Sequence, residues 1–154
     1  YTLSLHDALP ICMTDIHAAI GRVQLTKLAG WTKTRQENAA FLSSNITEAI
    51  TPAVPEGYVH VYHQYTIRLE GATGEERDRF VTALKEEHQV GSGVYYPIPN
   101  HRLPSLAPYA PGLELPNTEK VAAECVSLPV HPSLSQADLE RIIAGVNACA
   151  KAGA

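Results

Sequence analysis

The side chains of this sequence that could do chemistry are concentrated in one short segment, Tyr95 to Arg102. Two phenols leave the end of a predicted strand there, two prolines stiffen the turn that follows, and an imidazole and a guanidinium come next. Hydrogen-bonding groups held on a stiff loop suit a polyhydroxylated ligand. The residues alone leave a second interpretation open, which is a surface loop with two packed tyrosines.

The histidines do not predict a metal site. His60 and His63 are three residues apart on a predicted strand, which places them on opposite faces of a sheet. No partner at the spacing of metal ligands accompanies the other candidates, which are His17, His88, His101 and His131. The sequence also lacks a Gly-x-Ser-x-Gly motif, a phosphate-binding glycine loop and an isolated carboxylate pair. We therefore predict no metal and assign no catalytic residue.

The composition predicts one soluble globular domain. The chain has 154 residues, of which 45% are hydrophobic and 18% are charged. No apolar run approaches the roughly 20 residues of a membrane-spanning helix, and a net charge of -4 with dispersed basic residues argues against a nucleic-acid partner. Three cysteines without a Cys-x-x-Cys spacing argue against a disulfide framework and favour a cytoplasmic protein.

The segment Tyr1 to Ile11 is predicted to come from outside the gene. It is what a widely used sequencing-library adapter encodes when translated in frame, and it lacks the features of a signal peptide. We therefore predict residues 1–11 to be adapter-derived and residues 12–154 to be a truncated C-terminal piece of a longer protein. Cys12 spans the junction, so its natural counterpart can be a different residue such as arginine. The alternative is a natural, irregular N-terminal segment.

Helices and strands are predicted to alternate along the chain. Apolar spacing predicts helices from Met13 to Gly30, from Trp31 toward Ala49 and from Asn117 to Cys125. Thr14 or Asp15 is predicted to cap the first of these. Two further helices are predicted after the capping pairs Thr73–Glu76 and Ser135–Asp138. Period-two alternation or short apolar runs place strands at Val59 to Leu69, Val90 to Tyr96 and Ser127 to Val130. These elements predict an α+β fold in which helices cover a small three-stranded sheet.

One long stretch has no periodicity. It runs from Pro97 to Pro116 and holds six of the eleven prolines. Such a stretch inside a compact domain is usually functional or disordered. It contains most of the segment Tyr95 to Arg102, so this loop is the part of the chain where we expect a site.

Four stretches resemble one known family. They are MTDIHAAIGRVQLTKL at residues 13–28, VYHQYTIRL at 61–69, VGSGVYYPIPNH at 90–101 and AAECVSLPVHPSLS at 122–135. Together and in this order they resemble the C-terminal region of the DegT/DnrJ/EryC1/StrS family of pyridoxal-phosphate-dependent sugar aminotransferases. Position 95 is often histidine in that family, where this chain has Tyr95.

The resemblance implies the small C-terminal domain of a fold-type I transferase, whose preceding large domain holds pyridoxal 5'-phosphate. Tyr95, Tyr96 and His101 match the substrate-side loop of the family. None of the five lysines matches the Schiff-base motif; they are Lys27, Lys33, Lys85, Lys120 and Lys151. The resemblance therefore implies that this fragment alone is inactive.

The resemblance also implies a function for the full-length parent. It would be a homodimer that transfers an amino group from a donor such as glutamate to a nucleotide-linked keto-sugar in polysaccharide, surface-glycan or secondary-metabolite sugar biosynthesis. A dehydratase of the same family remains open, because the residue that separates the two activities lies upstream. The alternative from a different class is a stand-alone, non-catalytic α+β binding or structural domain.

Overall fold

A computed structural model describes residues 13–152 of the chain. In chain order these form helix α1 (Asp15–Asn45), strand β1 (Tyr65–Arg68), helix α2 (Gly74–His88), helix α3 (Pro116–Glu124), strand β2 (Cys125–Leu128) and helix α4 (Gln136–Ala152). Two short 3₁₀ turns, Asn100–Arg102 and Ala107–Tyr109, interrupt the long loop between α2 and α3. The predictions for residues 1–11 and for position 12 lie outside the described residues. No helix within residues 13–152 is both long and apolar enough to cross a membrane.

The sheet consists of β1 and β2, which pair antiparallel with Tyr65 opposite Leu128. The protein has the predicted α+β fold, but the prediction of three strands is wrong for residues 13–152. The segment Val90 to Tyr96 contributes only an isolated bridge, from Gly93 to Ser127. Glycines at positions 91 and 93 weaken this segment as a strand because they have no side chain to pack on the sheet.

The first strand is shorter than the sequence predicts. Of the predicted range Val59 to Leu69, only Tyr65–Arg68 is a strand. Just before it, Tyr62 has a left-handed backbone with a φ of 46°. The Tyr62 carbonyl accepts a hydrogen bond from Arg35 Nη1 of α1 (3.2 Å). The backbone there is thus bonded to a helix side chain, and the alternating sequence pattern overstates the strand.

Helix α1 runs through Gly30, where the sequence predicts an interruption. Thr14 caps the start of the helix, as predicted, by accepting a hydrogen bond from the His17 backbone N–H (3.4 Å). A glycine inside a helix costs about 1 kcal/mol relative to alanine, which weakens a helix but does not end one of this length. The prediction of two helices is therefore wrong. The helix ends at Asn45, because Ile46 has an extended backbone.

The two halves of α1 have different surroundings. In the C-terminal half, Ala39 and Leu42 are fully buried. In the N-terminal half, the predicted apolar stripe is exposed, with Ile16 73% and Val23 56% accessible. The first half of α1 therefore presents an apolar face that the other described residues leave open to solvent.

One core holds the described elements together. Helices α2 and α4 pack closely, since a Cβ at Gly145 would lie 2.8 Å from Leu84 Cδ1 and 3.0 Å from His88 Cβ. Buried apolar residues from both sheet strands, from α1, α2 and α4 and from the chain next to these elements meet here; they are Ala39, Leu42, Ile46, Tyr65, Ile67, Leu69, Phe80, Leu84, Val90, Val126, Leu128, Val130, Leu139, Ile142, Val146 and Cys149. The sheet is thus covered by helices, as the α+β prediction expects.

Two of the predicted helix caps are confirmed in detail. Thr73 Oγ1 accepts from the Glu76 backbone N–H (3.3 Å), and Glu76 Oε2 accepts from the Thr73 backbone N–H (2.8 Å). Ser135 and Asp138 make the same reciprocal pair at the start of α4. Reciprocal bonds of this kind satisfy the backbone donors that a helix start leaves unpaired.

The start of α3 differs from its prediction. The sequence predicts Asn117 as the cap, but Pro116 is already the first residue of the helix. Proline is favoured at that position because its fixed φ suits a helix and its missing N–H would be unpaired there anyway. The backbone N–H of Leu115 instead donates to Glu119 Oε1 (3.3 Å).

Candidate functional site

The fold brings the three predicted site residues to one groove. Tyr95, Tyr96 and His101 line a cavity of about 660 Å³ between the long loop and α3. Val121 and Ala122 form part of its opposite wall. Aromatic rings, aliphatic side chains and a few polar groups therefore share one surface, which is the usual make-up of a small-molecule site.

Neither tyrosine is packed into the core. Tyr95 is 56% exposed and Tyr96 is 78% exposed. The Tyr95 ring lies directly over Gly93, where an added Cβ would come within 2.7 Å of the ring. Glycine at this position is therefore what allows the ring to lie where it does. The interpretation of this loop as one with two packed tyrosines does not fit these exposures.

His101 is held by an acid on α3 that no sequence motif singles out. The His101 side chain is only 6% exposed, and its Nε2 lies 2.8 Å from Glu119 Oε1 of α3. The same carboxylate oxygen accepts a hydrogen bond from Arg102 Nη2 (2.8 Å) and the one from Leu115 already described. One carboxylate oxygen thus ties the 3₁₀ turn to the start of the helix.

These contacts define the charge of Glu119 and the orientation of the His101 ring. Hydrogen bonds from His101, then from Arg102 and the Leu115 backbone, lower the pKa of Glu119 to about 2. An ionised carboxylate can only accept hydrogen bonds, so His101 Nε2 must carry the hydrogen in this pair. The ring is therefore held in one orientation, with its Nε2–H directed at Glu119.

The sequence only weakly indicates that Glu119 belongs to the site. It is an acid in the first turn of a helix, where the helix dipole favours negative charge. Such acids are common, and nothing local indicates that this one reaches back across the loop to His101. Its role appears only when α3 and the 3₁₀ turn are placed side by side.

A second cavity adjoins the first and shares Tyr95 with it. This cavity has a volume of about 630 Å³, and Arg35, His63 and His131 are among its lining residues, with no acid among them. Ser92, on the glycine-flanked segment that also lines it, has a buried Oγ without a hydrogen-bond partner in the described part of the chain. The two cavities together offer an aromatic groove beside a basic one.

The described residues do not fit a covalent site for pyridoxal phosphate. All five lysines fall within them, and each lies exposed on a helix. Three of the lysines pair with acids: Lys33 with Glu37 (3.7 Å), Lys120 with Glu124 (3.9 Å) and Lys151 with Glu48 (3.3 Å). A lysine that forms a Schiff base needs an enclosed, desolvated setting.

Comparison with known proteins agrees with the resemblance. The sequence profile of the DegT/DnrJ/EryC1/StrS aminotransferase family matches residues 8–147, starting inside the segment predicted to be adapter-derived. The chain is 36% identical over 138 residues to a "pleiotropic regulatory protein" of Geobacillus stearothermophilus, covering 85% of this chain and 35% of that protein. It is 33% identical over 132 residues to a UDP-N-acetyl-3-dehydro-alpha-D-glucosamine 3-aminotransferase of Acidithiobacillus ferrooxidans, covering 84% and 34%.

A solved structure gives the same result for the fold. The crystal structure of the aminotransferase TlmJ from Streptoalloteichus hindustanus superposes with a TM-score of 0.77 at 29% identity. The superposition covers 91% of this chain and 37% of that one. The chain thus spans about a third of the length of the proteins it matches.

Proposed function

The chain belongs to the DegT/DnrJ/EryC1/StrS aminotransferase family, and on that premise we propose that residues 12–154 are the C-terminal small domain of a pyridoxal-phosphate-dependent sugar aminotransferase. The whole enzyme transfers an amino group from a donor such as glutamate to a nucleotide-linked keto-sugar. It works in the cytoplasm as a homodimer. Residues 1–11 are adapter-derived and play no part in it.

The observation that carries this proposal is the groove lined by Tyr95, Tyr96 and His101. A sugar presents hydroxyl groups that must each find a hydrogen-bond partner once water is excluded, and each unpaired group costs roughly 1–3 kcal/mol. Glu119 holds the His101 ring in place, so the loop offers its polar groups without having to order itself first. Tyr96 and His101 face the sugar in this proposal, and Tyr95 lies at the junction of the two cavities.

The neighbouring cavity supports the nucleotide-linked form of the substrate. Arg35 supplies a positive charge there, and His63 and His131 also line the cavity, with no acid among its lining residues. A nucleotide carrier brings a diphosphate, and a guanidinium is well suited to bind one. The carrier therefore lies in the basic cavity while the sugar lies in the aromatic groove.

The cofactor belongs to the large domain that this chain does not include. Pyridoxal phosphate supplies the carbonyl group that takes up and passes on the amino group. The apolar face of the first half of α1, including Ile16 and Val23, packs against that domain in the whole enzyme. The fragment contributes substrate contacts and covers the active site but does not hold the cofactor.

A cofactor titration tests this division of labour. The 154-residue chain mixed with pyridoxal phosphate is expected to show no stoichiometric absorbance band from a lysine-bound cofactor, because its lysines are exposed. Random modification of surface lysines gives weak, non-saturating absorbance that no single substitution removes. A specific band abolished by replacing one lysine would contradict the proposal.

The unbroken genomic sequence upstream of Met13 tests whether the chain is part of an enzyme. We expect it to encode a large domain with a Schiff-base lysine and a phosphate site. The restored protein is then assayed for glutamate-dependent amination of nucleotide-linked keto-sugars. A start codon at Met13, or a restored protein that binds no cofactor, would favour the stand-alone binding or structural domain instead.

A further inference from the structure

Three residues with metal-binding side chains meet where α2 packs on α4. They are Glu87 and His88, at the end of α2, and Cys149 in α4. One ligand atom from each lies within 4.8 Å of the other two. Cys149 is buried, His88 is half-buried and Glu87 is exposed. This cluster lies outside the groove and the basic cavity, and the proposed function does not use it.

The packing of the two helices explains why these residues meet. Gly145 lies one turn before Cys149 on α4, and a Cβ there would come within 3.0 Å of His88 Cβ and Cγ. The absence of a side chain at position 145 therefore lets His88 approach α4. Helix α2 ends immediately after His88, because Gln89 adopts a left-handed conformation with a φ of 58°. Sequence spacing cannot reveal the cluster, since Cys149 comes from a different helix.

The set of donors selects the kind of ion. A thiolate, an imidazole and a carboxylate are all ligands of zinc, whereas magnesium and calcium take oxygen ligands. We propose that Glu87, His88 and Cys149 bind one zinc ion, which links the end of α2 to α4. Three protein ligands leave the fourth tetrahedral position for a water molecule.

The geometry requires only a small adjustment. Zinc–ligand bonds of about 2.0–2.3 Å place the ligand atoms roughly 3.4–3.6 Å from one another in a tetrahedral site. Separations of up to 4.8 Å must therefore shorten by about 1 Å. Glu87 is exposed, so its side chain can rotate toward the other two ligands.

Zinc binding must release the proton of the Cys149 thiol. Burial, and then the charge of Glu87, raise the pKa of the Cys149 thiol. Without an ion, the thiol keeps its proton next to a carboxylate. When zinc binds, a Zn–S bond forms, the S–H bond breaks and its proton passes to water. The zinc charge then compensates both the thiolate and the carboxylate.

Zinc titration of the 154-residue chain tests the site directly. A Cys12→Ser background leaves Cys125 and Cys149 as the only thiols. Competition against a chromophoric chelator is expected to give one zinc per chain. Glu87→Gln and Cys149→Ala are each expected to weaken binding by about tenfold or more, because even the outer partners of metal ligands have effects of this size. Glu87→Gln alters an exposed residue and is not expected to affect folding.

Matched variants and a second ion complete the test. Glu86→Gln, which changes the neighbouring exposed acid on α2, and Cys125→Ala, which removes the thiol outside the cluster, are expected to keep the affinity of the parent. Cobalt is expected to give a thiolate charge-transfer band that disappears in Cys149→Ala. An absence of stoichiometric zinc binding, or an equal affinity in Glu87→Gln and Glu86→Gln, would overturn the proposal. Neither result bears on the sugar site.

Discussion

The core around the two-stranded sheet and the loop that carries Tyr96 and His101 are held by different forces. In the core, Leu42, Ile67 and Val126 are fully removed from water, so the hydrophobic effect and close packing hold it. The loop buries little apolar surface. It is held by hydrogen bonds that converge on one oxygen of Glu119. Changes in the core should therefore alter stability most, whereas changes in the loop should mainly alter ligand binding.

The largest effect is expected for Leu42→Ala in the core. Leu42 has no exposed surface, so truncation removes buried methyl groups and leaves a cavity. We expect the free energy of unfolding to fall by about 2–5 kcal/mol. Urea denaturation followed by circular dichroism measures this change.

Leu25→Ala is the matched control, since it makes the same substitution on the same helix at a residue that is 68% exposed. Its effect should stay within about 0.5 kcal/mol. Equal losses in the two variants would break the distinction between the packed and the open half of α1.

The next largest effect is expected for His101→Ala in the restored full-length enzyme. The change removes a hydrogen-bonding group from the sugar site and leaves a substrate hydroxyl unpaired, so kcat/KM for the sugar should fall about ten- to a hundred-fold. Cofactor occupancy should stay near that of the parent, because the large domain holds the cofactor. The urea midpoint should fall by less than it does for Leu42→Ala, because the change removes the contact with Glu119 but leaves the core untouched. Steady-state kinetics with the sugar varied measures the effect.

Much of the core could be predicted from the sequence because its signals are local. The Thr73–Glu76 and Ser135–Asp138 pairs are caps within one turn, and the structure confirms both. The apolar stripe of α4 is likewise buried, including Leu139, Ile142 and Val146. Spacing within one helix determines such features, so no knowledge of distant residues is required.

The errors arise where distant residues decide the outcome. The alternation from Val59 onward predicts a long strand. In the structure, Arg35 of α1 donates a hydrogen bond to the Tyr62 carbonyl, and the strand begins only at Tyr65. The second predicted strand, Val90 to Tyr96, is reduced to one bridge at Gly93. At the site, the sequence predicts the loop Tyr95 to His101. It does not predict the role of Glu119, because this residue comes from a separate helix.

A smaller effect is expected from acid, through Glu119. Its pKa lies at about 2 in the folded protein, well below its ordinary 4.5. A lowered pKa means that the loop contacts contribute stability above about pH 4.5 and lose it as the pH falls toward about 2. Carbon-13 NMR of the side-chain carboxyl, assigned by its loss in Glu119→Gln, measures the midpoint.

Removing His101 should raise this midpoint, because its hydrogen bond is the largest cause of the lowering. The apolar contacts of the core do not titrate. The buried Glu124 also has a lowered pKa, through its hydrogen bonds from Arg68, but His101 is not among the causes of that shift. A midpoint near 4.5 in the parent protein would show that the carboxylate does not hold the loop in solution.

The smallest effect is expected for Tyr96→Phe in the restored enzyme. The substitution keeps the ring and removes only a hydroxyl that is open to solvent before the sugar binds, so the loss is that of one net hydrogen bond, about 0.5–1.5 kcal/mol. That corresponds to a fall in kcat/KM of about two- to tenfold. Tyr109→Phe is the matched control, because Tyr109 lies on the same loop, is 85% exposed and does not line the groove. If Tyr96→Phe and His101→Ala both match Tyr109→Phe in sugar kinetics while their folding is intact, the loop lies outside the active site, and the contrast between a core that governs stability and a loop that governs binding fails.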